Sequence, residues 1–314
     1  MTVIRLGTRR SALAVAQAQL VAEALSKFTQ RSVELVFITT AGDVSTASLT
    51  SIGGTGVFVS ALRDSLLNRE IDIAVHSLKD LPTADAPEIE IAAMPSREDP
   101  RDALIARDGL TLAKLPAGSI VGTGSPRRAV QLKLLRPDVD VVDIRGNVDT
   151  RLGLVTSGKL DAVVLAVAGL KRLGREESVT QWFDPQDMLP APGQGALAIE
   201  VRSDAPTDLM TSLRSLDAPA TRAAVTAERA VLAALEAGCS APVGALAVVD
   251  EPGFTQGQFD ATRFNATPLH LAALVAATDG SSVTRLSITT TVADADSAGR
   301  QLAGQLLGDG VVVS

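Results

Sequence analysis

Short, almost unbroken apolar runs, each giving way to apolar residues at helical spacing, leave this chain few architectures to choose from. Val3–Leu6 reads as a strand, and Ser11 is placed to cap a helix whose apolar positions include Leu13, Leu20, Val21 and Leu25. Val33–Thr39 is a second strand, rich in β-branched residues, and Phe58, Leu62 and Leu66 then recur at helical spacing before a third strand, Ile71–Val75. Strands with no polar alternation are buried on both faces. With helices between them, they predict mainly parallel sheets covered on each side, an α/β fold.

Two proline-bearing stretches divide the pattern. Pro95–Pro100, with charges between the prolines, reads as a crossing out of a first lobe; Ile120-Val121, Val139–Ile144 and Leu160–Val167 are strands of a second. Pro190-Ala-Pro-Gly-Gln-Gly-Ala196 reads as the return crossing, leading into a strand at Leu197–Val201. Thereafter Thr221–Glu236 is an Ala-rich helix with Gly238 as its expected cap. Strands at Gly244–Val249, Leu269–Ala276 and Val283–Thr291 and a helix at 293–307 follow, a small α+β grouping. The expected organisation is residues 1–95 and 195–214 as domain 1, 96–194 as domain 2, and 215–314 as domain 3, with 250–267 an exposed loop.

A length of 314 residues suffices for more than one core. With 29 basic against 36 acidic residues the net charge is −7, no Tyr is present and Trp occurs once. A broad nucleic-acid surface, which needs basic excess and stacking platforms, is therefore not expected. No apolar run approaches the ~20 residues of a membrane span, and the first residues lack the apolar stretch of a signal peptide. The expectation is a cytoplasmic protein without membrane contact. One Cys and two His make an internal disulfide impossible and predict no metal site.

The arginines carry the clearest chemical signal. Arg9 and Arg10, Arg127 and Arg128, Arg145, Arg151 and Arg172 each follow the carboxyl end of a predicted strand. Free backbone N–H groups and the helix dipole already favour anions there, and the guanidinium fork suits carboxylate or phosphate. Singly each is an ordinary solvated charge; together they predict a small polyanionic ligand. A second cluster, Val75-His76-Ser77-Leu78-Lys79-Asp80, runs from an apolar strand into polar residues. Asp80 there suits a carboxylate steadying a developing cation, although a plain polar loop fits the spacing equally. Cys239 stands just past a predicted helix C-terminus, where the dipole disfavours a thiolate, and its surroundings assign it no role. Ser51-Ile-Gly-Gly-Thr-Gly56 lacks the lysine of a phosphate-binding loop but suits a mobile lid.

Several uncommon strings occur in one order: Gly-Thr-Arg-Arg-Ser at 7–11, Ala-Val-His-Ser-Leu-Lys-Asp at 74–80 and Arg-Glu-Asp-Pro-Arg-Asp at 97–102. They continue with Gly-Ser-Pro-Arg-Arg at 124–128, Ile-Arg-Gly-Asn-Val at 144–148 and Ala-Gly-Leu-Lys-Arg-Leu-Gly at 168–174. Pro-Gly-Gln-Gly-Ala at 192–196 and Gly-Cys at 238–239 complete the set. Together they resemble the porphobilinogen deaminase (hydroxymethylbilane synthase) family over almost the whole chain. The resemblance implies two periplasmic-binding-protein-like lobes with mainly parallel sheets, and a small C-terminal α+β domain. It implies a dipyrromethane cofactor attached to Cys239 by a thioether, and a transferase of porphyrin and heme biosynthesis that condenses four porphobilinogens, releasing ammonia, into linear hydroxymethylbilane. By the same resemblance Asp80 is the catalytic residue. Arg9, Arg10, Ser11, Ser77, Lys79, Ser125, Arg127, Arg128, Arg145, Arg151 and Arg172 hold carboxylates of substrate or cofactor. Gly53, Gly54, Gly56 and Phe58 belong to a lid loop, in which Ser51 and Thr55 stand where many family members carry lysine. The enzyme is then a monomer that passes its product to the next tetrapyrrole enzyme. The competing reading, a non-catalytic two-lobed binding protein for a small polyanion, leaves Cys239 without a purpose.

Overall fold

The computed structural model describes residues 3–39, 56–237, 241–250, 259–277, 280 and 282–308. The chain begins β1 (Ile4–Thr8), α1 (Ala12–Thr29), β2 (Val33–Phe37), α2 (Gly56–Leu67), β3 (Ile73–Ser77), β4 (Ile89–Ala93) and β5 (Asp102–Ala106). It continues β6 (Ile120–Gly122), α3 (Pro126–Leu135), β7 (Asp140–Val142), α4 (Val148–Thr156), β8 (Ala162–Ala166), α5 (Val167–Arg172) and β9 (Gln181–Trp182). The remainder is β10 (Leu197–Arg202), α6 (Thr207–Arg214), α7 (Pro219–Ala234), β11 (Val243–Val249), α8 (Ala261–Asn265), β12 (Pro268–Ala276), β13 (Val283–Thr291) and α9 (Ala295–Gly308).

Contacts gather these elements into two compact units, residues 1–99, 168–175 and 195–221 in one and 100–167, 176–194 and 222–314 in the other. The first holds a five-stranded sheet in the order β2-β1-β3-β10-β4. β1 pairs in parallel with β2 and β3, whereas β10 runs antiparallel to both its neighbours, so four strands point one way and one the other. One face packs Ile4, Leu6, Ile73 and Val75 against Val21 and Leu25 of α1 and Leu209 and Leu213 of α6. On the other face, Leu62 and Leu66 of α2 meet Ile71 and Ala74. Burying a Leu or Ile side chain contributes about 1.5–3 kcal/mol, which is why these continuous apolar runs select a sheet covered on both sides.

The second unit repeats that topology in the order β7-β6-β8-β5-β9, with β5 as the reversed strand, around Leu104, Val121, Leu132, Val164 and Phe183. In both sheets the reversed strand is the first one after a proline-bearing crossing. This unit also carries the antiparallel sheet β11-β12-β13, covered by α7 and α9 through Ala227, Val231, Leu302 and Leu306. Gly299 permits the close approach of those helices, since a Cβ there would lie 2.3 Å from the Ala227 carbonyl oxygen. The other side of the sheet places Leu274 and Ala276 against Val130 and Leu189.

Several details depart from the sequence reading: within 250–267, expected to be an exposed loop, α8 (Ala261–Asn265) forms and buries Phe264, and each five-stranded sheet holds one reversed strand. β4, β5 and β9 were not expected as strands. And α7 closes before Gly238, which lies outside the described residues: Glu236 takes the left-handed conformation (φ 50), while its N–H and that of Ala237 bond back to Ala233 and Leu232. That is a Schellman closure built without glycine.

Candidate functional site

In the first unit, parallel pairing brings the carboxyl ends of β1 and β3 to one edge of the sheet. Thr8, fully buried at the end of β1, donates its hydroxyl to the Ala14 carbonyl at 3.1 Å, which turns the chain sharply into α1. Ser11 is the N-cap of that helix, its Oγ accepting from the Ala14 N–H at 3.3 Å. Arg9 is half-buried and Arg10 exposed, the latter 5.5 Å from the centre of the Phe37 ring at the end of β2, within cation–π range. The first turn of α1 thus faces solvent with two guanidinium groups beside its positive end.

β3 delivers the second half of this edge. Ser77 ends the strand with its hydroxyl accepting from Gln17 Nε2 of α1 at 2.8 Å. A 3-10 turn, Leu78–Asp80, follows; it is pinned by the fully buried Leu78, whose N–H donates to the Ala196 carbonyl at 3.0 Å. Lys79 and Asp80 are both half-buried. Asp80 has no hydrogen-bond or ion-pair partner among the described residues. An uncommitted carboxylate on a rigid turn is what a cation-stabilising group requires.

In the second unit β6 and β7 are parallel neighbours, so Ser125 and Arg145 also share an edge. Ser125 is the N-cap of α3, with Pro126 in the first turn, where its missing N–H costs nothing. Arg127 and Arg128 are buried and turn toward Asp102, which is fully buried at the start of β5. Arg127 Nη1 lies 2.8 Å from Asp102 Oδ2 and donates to the Leu189 carbonyl at 2.6 Å. Arg128 donates to Asp102 Oδ1 from Nε and Nη2, at 3.0 and 2.7 Å, and to the Val164 carbonyl from Nη1 at 3.0 Å. Gln194 adds a bond to the same Asp102 oxygen at 2.8 Å. Burial alone would raise the Asp102 pKa; the charges of Arg127 and Arg128 and the bonds from Arg128 and Gln194 outweigh it and hold the carboxyl far below its usual range. The buried Arg127 Nε is left without a hydrogen-bond partner among the described residues.

Nearby, Asn147 caps α4 by accepting from the Thr150 N–H at 2.8 Å. Arg145 is exposed, 3.2 Å from Asp143, while half-buried Arg151 donates from Nε to the Gly146 carbonyl at 2.9 Å. Burial, then the charges of Arg128 and Arg145, push the Arg151 pKa down, with Asp143 opposing them. Cations crowded enough to disfavour one another's charge form a site that an anion relieves. Glycine is required at 124, where a Cβ would sit 2.7 Å from the Ile144 carbonyl oxygen.

Arg172, at the end of α5, belongs to the first unit and donates to the Gly195 carbonyl at 2.7 Å. Burial lowers its pKa, with Glu98 opposing, and it lines a cavity of about 510 Å³ with Leu20, Phe28, Arg97 and Glu98. Gly195 itself has φ +88, and a Cβ there would lie 2.3 Å from the Glu98 carbonyl oxygen. Cys239, Gly53, Gly54, Ser51 and Thr55 lie outside the described residues; Gly56 and Phe58 are in the first turn of α2.

Sequence reasoning missed the groups that hold these edges in place. Asp102 and Gln194 entered only as members of quoted strings, and Gln17 not at all. Fully buried Glu228, which accepts from the Gly193 and Ala247 N–H groups at 2.6 and 2.8 Å, was also passed over. An acidic residue heading an apolar run at 102–106 was the available signal for the first. Among the described residues no group of three or more His, Cys, Asp or Glu is arranged for a metal, and no helix is long and apolar enough to cross a membrane.

Comparison with known proteins agrees over nearly the full length. The family model described as porphobilinogen deaminase, dipyromethane cofactor binding domain, matches residues 4–209, and that of the porphobilinogen deaminase C-terminal domain matches 222–308. Porphobilinogen deaminase 1 of Streptomyces avermitilis is 55% identical over 320 residues, covering 98% of this chain and 95% of the relative. The porphobilinogen deaminase of Thermobifida fusca is 55% identical over 316 residues, covering 98% and 94%. Among solved structures, the methionine binding protein MetQ is 11% identical with a TM-score of 0.45, over 68% of this chain and 89% of that one. On the two family models and these relatives, the chain belongs to the porphobilinogen deaminase family.

Proposed function

We propose that the two cationic strand edges bind the acetate and propionate groups of porphobilinogen and of the growing chain, and that Asp80 is the catalytic carboxylate. The family membership makes the protein a transferase of tetrapyrrole biosynthesis that joins four porphobilinogens head to tail, with loss of four ammonia molecules and release of hydroxymethylbilane by water. The observation that carries the assignment is Asp80: a half-buried carboxylate in the turn after β3, with no hydrogen-bond or ion-pair partner among the described residues, on the same sheet edge as Arg9, Arg10 and Ser11.

The residues fit the dipyrromethane cofactor of the family. Beyond what Asp102 and Asp143 already neutralise, buried Arg127 Nε has no hydrogen-bond partner among the described residues, and Arg151 is disfavoured by burial and by the charges of Arg128 and Arg145, so an added carboxylate would be stabilised there. When bound through Cys239, that cofactor supplies the pyrrole carbon on which the chain grows. Arg127, Arg128, Arg145, Arg151 and Ser125 then hold carboxylates at the second unit's edge. Arg9, Arg10, Ser11, Lys79 and Arg172 do so in the first, with Ser77 free to donate its own hydroxyl proton while accepting from Gln17. As ammonia leaves porphobilinogen its pyrrole becomes electron-poor, and the Asp80 carboxylate accepts from the ring N–H and offsets the developing charge. Glycines 53, 54 and 56 and Phe58 act as a lid, and residues 215–314 form the domain that presents Cys239. The same reading makes the enzyme a cytoplasmic monomer that hands its product to the next tetrapyrrole enzyme, with no part for nucleic acid or membrane.

Asp80→Asn tests the assignment. The variant is expected to fold and to retain the two-pyrrole adduct by intact mass, with turnover lowered roughly 10²–10³-fold. Near-normal turnover would remove Asp80 from the mechanism.

A further inference from the structure

The strand that carries Asp80 is gripped from both faces, and one grip uses three charged or titratable groups that the proposed chemistry leaves unemployed. Successive side chains of β3 alternate, so Ser77 faces α1 and His76 faces α2. On the α1 side, buried Gln17 holds the Ser77 hydroxyl at 2.8 Å. On the α2 side, buried His76 brings Nε2 to 3.1 Å from Oε2 of Glu200, within ion-pair range though not aligned as a hydrogen bond, and Glu200 is itself buried on the neighbouring strand β10. Arg63 of α2 closes the chain with a forked contact on Glu200, Nη2 to Oε1 at 2.7 Å and Nε to both oxygens at 3.2 Å.

Desolvation of a buried ionic group offsets much of its Coulombic gain, and an apolar trio of similar volume would stabilise the sheet as well or better. Stability therefore does not account for it; direction does. The fork on Glu200 allows one placement of α2 against β10, and the His76 contact fixes the end of β3 relative to both. From that end the chain has only the short turn Leu78–Asp80 in which to place the carboxylate.

We infer that His76, Glu200 and Arg63 are positioning residues for Asp80, a clamp that couples the helix following the glycine-rich segment to the catalytic turn. The inference rests on the role proposed for Asp80. A misplacement of about 1 Å in a catalytic group can cost ~10²-fold in rate, so loosening this clamp lowers turnover without weakening the capture of substrate carboxylates.

The test uses the cofactor-loaded full chain and compares His76→Leu, His76→Gln and Asp80→Asn. His76→Leu keeps the Glu200–Arg63 pair. It is expected to retain the adduct and a cooperative melt, to lose roughly 10–100-fold in kcat, and to keep KM within about twofold. His76→Gln, whose amide nitrogen can reach the Glu200 oxygen, is expected to recover most of that loss. Wild-type kcat in folded, loaded His76→Leu, or a melting-temperature loss with kcat intact, would overturn the clamp. If His76→Leu does not fold, Arg63→Met at the outer end takes its place with the same expected and contradicting results. If Asp80→Asn itself turns over normally, the catalytic assignment falls. An inactive Asp80→Asn beside a fully active clamp variant sinks only this inference.

Discussion

Arg127 and Arg145 show how differently two arginines at strand ends can be used. Arg145 is exposed beside Asp143, a surface pair worth about 0–1 kcal/mol, so Arg145→Ala is expected to leave the melting temperature nearly unchanged and to raise KM. Arg127 and Arg128 share the fully buried Asp102, and Asp102→Ala would leave two buried cations uncompensated. Denaturant unfolding is expected to show about 3–5 kcal/mol lost in Asp102→Ala, against a few tenths for Arg145→Ala. Equal losses would contradict this division. The positions of these arginines were legible in the sequence because a strand end followed by a cation is a local pattern. Their burial was not, because it depends on Asp102, some 25 residues earlier along the chain. Asp80 was legible as a residue type at a strand end. That it has no partner among the described residues is a property of the folded turn alone.

The secondary-structure elements were legible in proportion to how well local pattern matched final burial. β3 and β8 are mostly apolar and mostly buried, while β1, β2 and β10 interleave one or two charged residues with apolar ones; all five appear within a few residues of the expected positions. β5 was missed because it opens on an aspartate, which reads as loop until Arg127 and Arg128 close over it. β9 has only two residues and carries no period of its own. α7 was expected to need Gly238, yet the left-handed residue that ends it is Glu236. The buried carboxylates also set how the elements respond to acid. Burial alone would raise the Glu200 pKa from 4.5, but the close approach and charge of His76 and the bonds and charge of Arg63 bring it down to about 2. A depressed carboxyl contributes its full stability above its unfolded pKa and loses it as pH falls through the folded one. Glu200, and Asp102 in the same direction, therefore predict that the denaturation midpoint drops between about pH 4.5 and pH 2. Glu200→Gln is expected to be less stable at neutral pH and flatter across that interval. An unchanged slope would show that the carboxyl is not charged in the fold.

At the scale of the molecule, two five-stranded sheets of equivalent topology each gather basic and polar residues at the carboxyl ends of their parallel strands, and a three-stranded sheet accompanies the second. Alternation of apolar runs with helical spacing was enough to anticipate mainly parallel sheets. The reversed strand in each was not anticipated, since strand direction after a crossing is decided by where the chain returns, which no local period encodes. On the proposed reading, the chemistry reduces to the Cys239 thiol carrying a pyrrole primer and the Asp80 carboxylate offsetting charge on the incoming porphobilinogen. Intact mass of the freshly purified, denatured protein tests this most directly. The account predicts a mass above that of the 314-residue chain by two pyrrole units, and the bare chain mass for Cys239→Ser. An active wild-type protein at the bare chain mass, or an adduct surviving in Cys239→Ser, would contradict it.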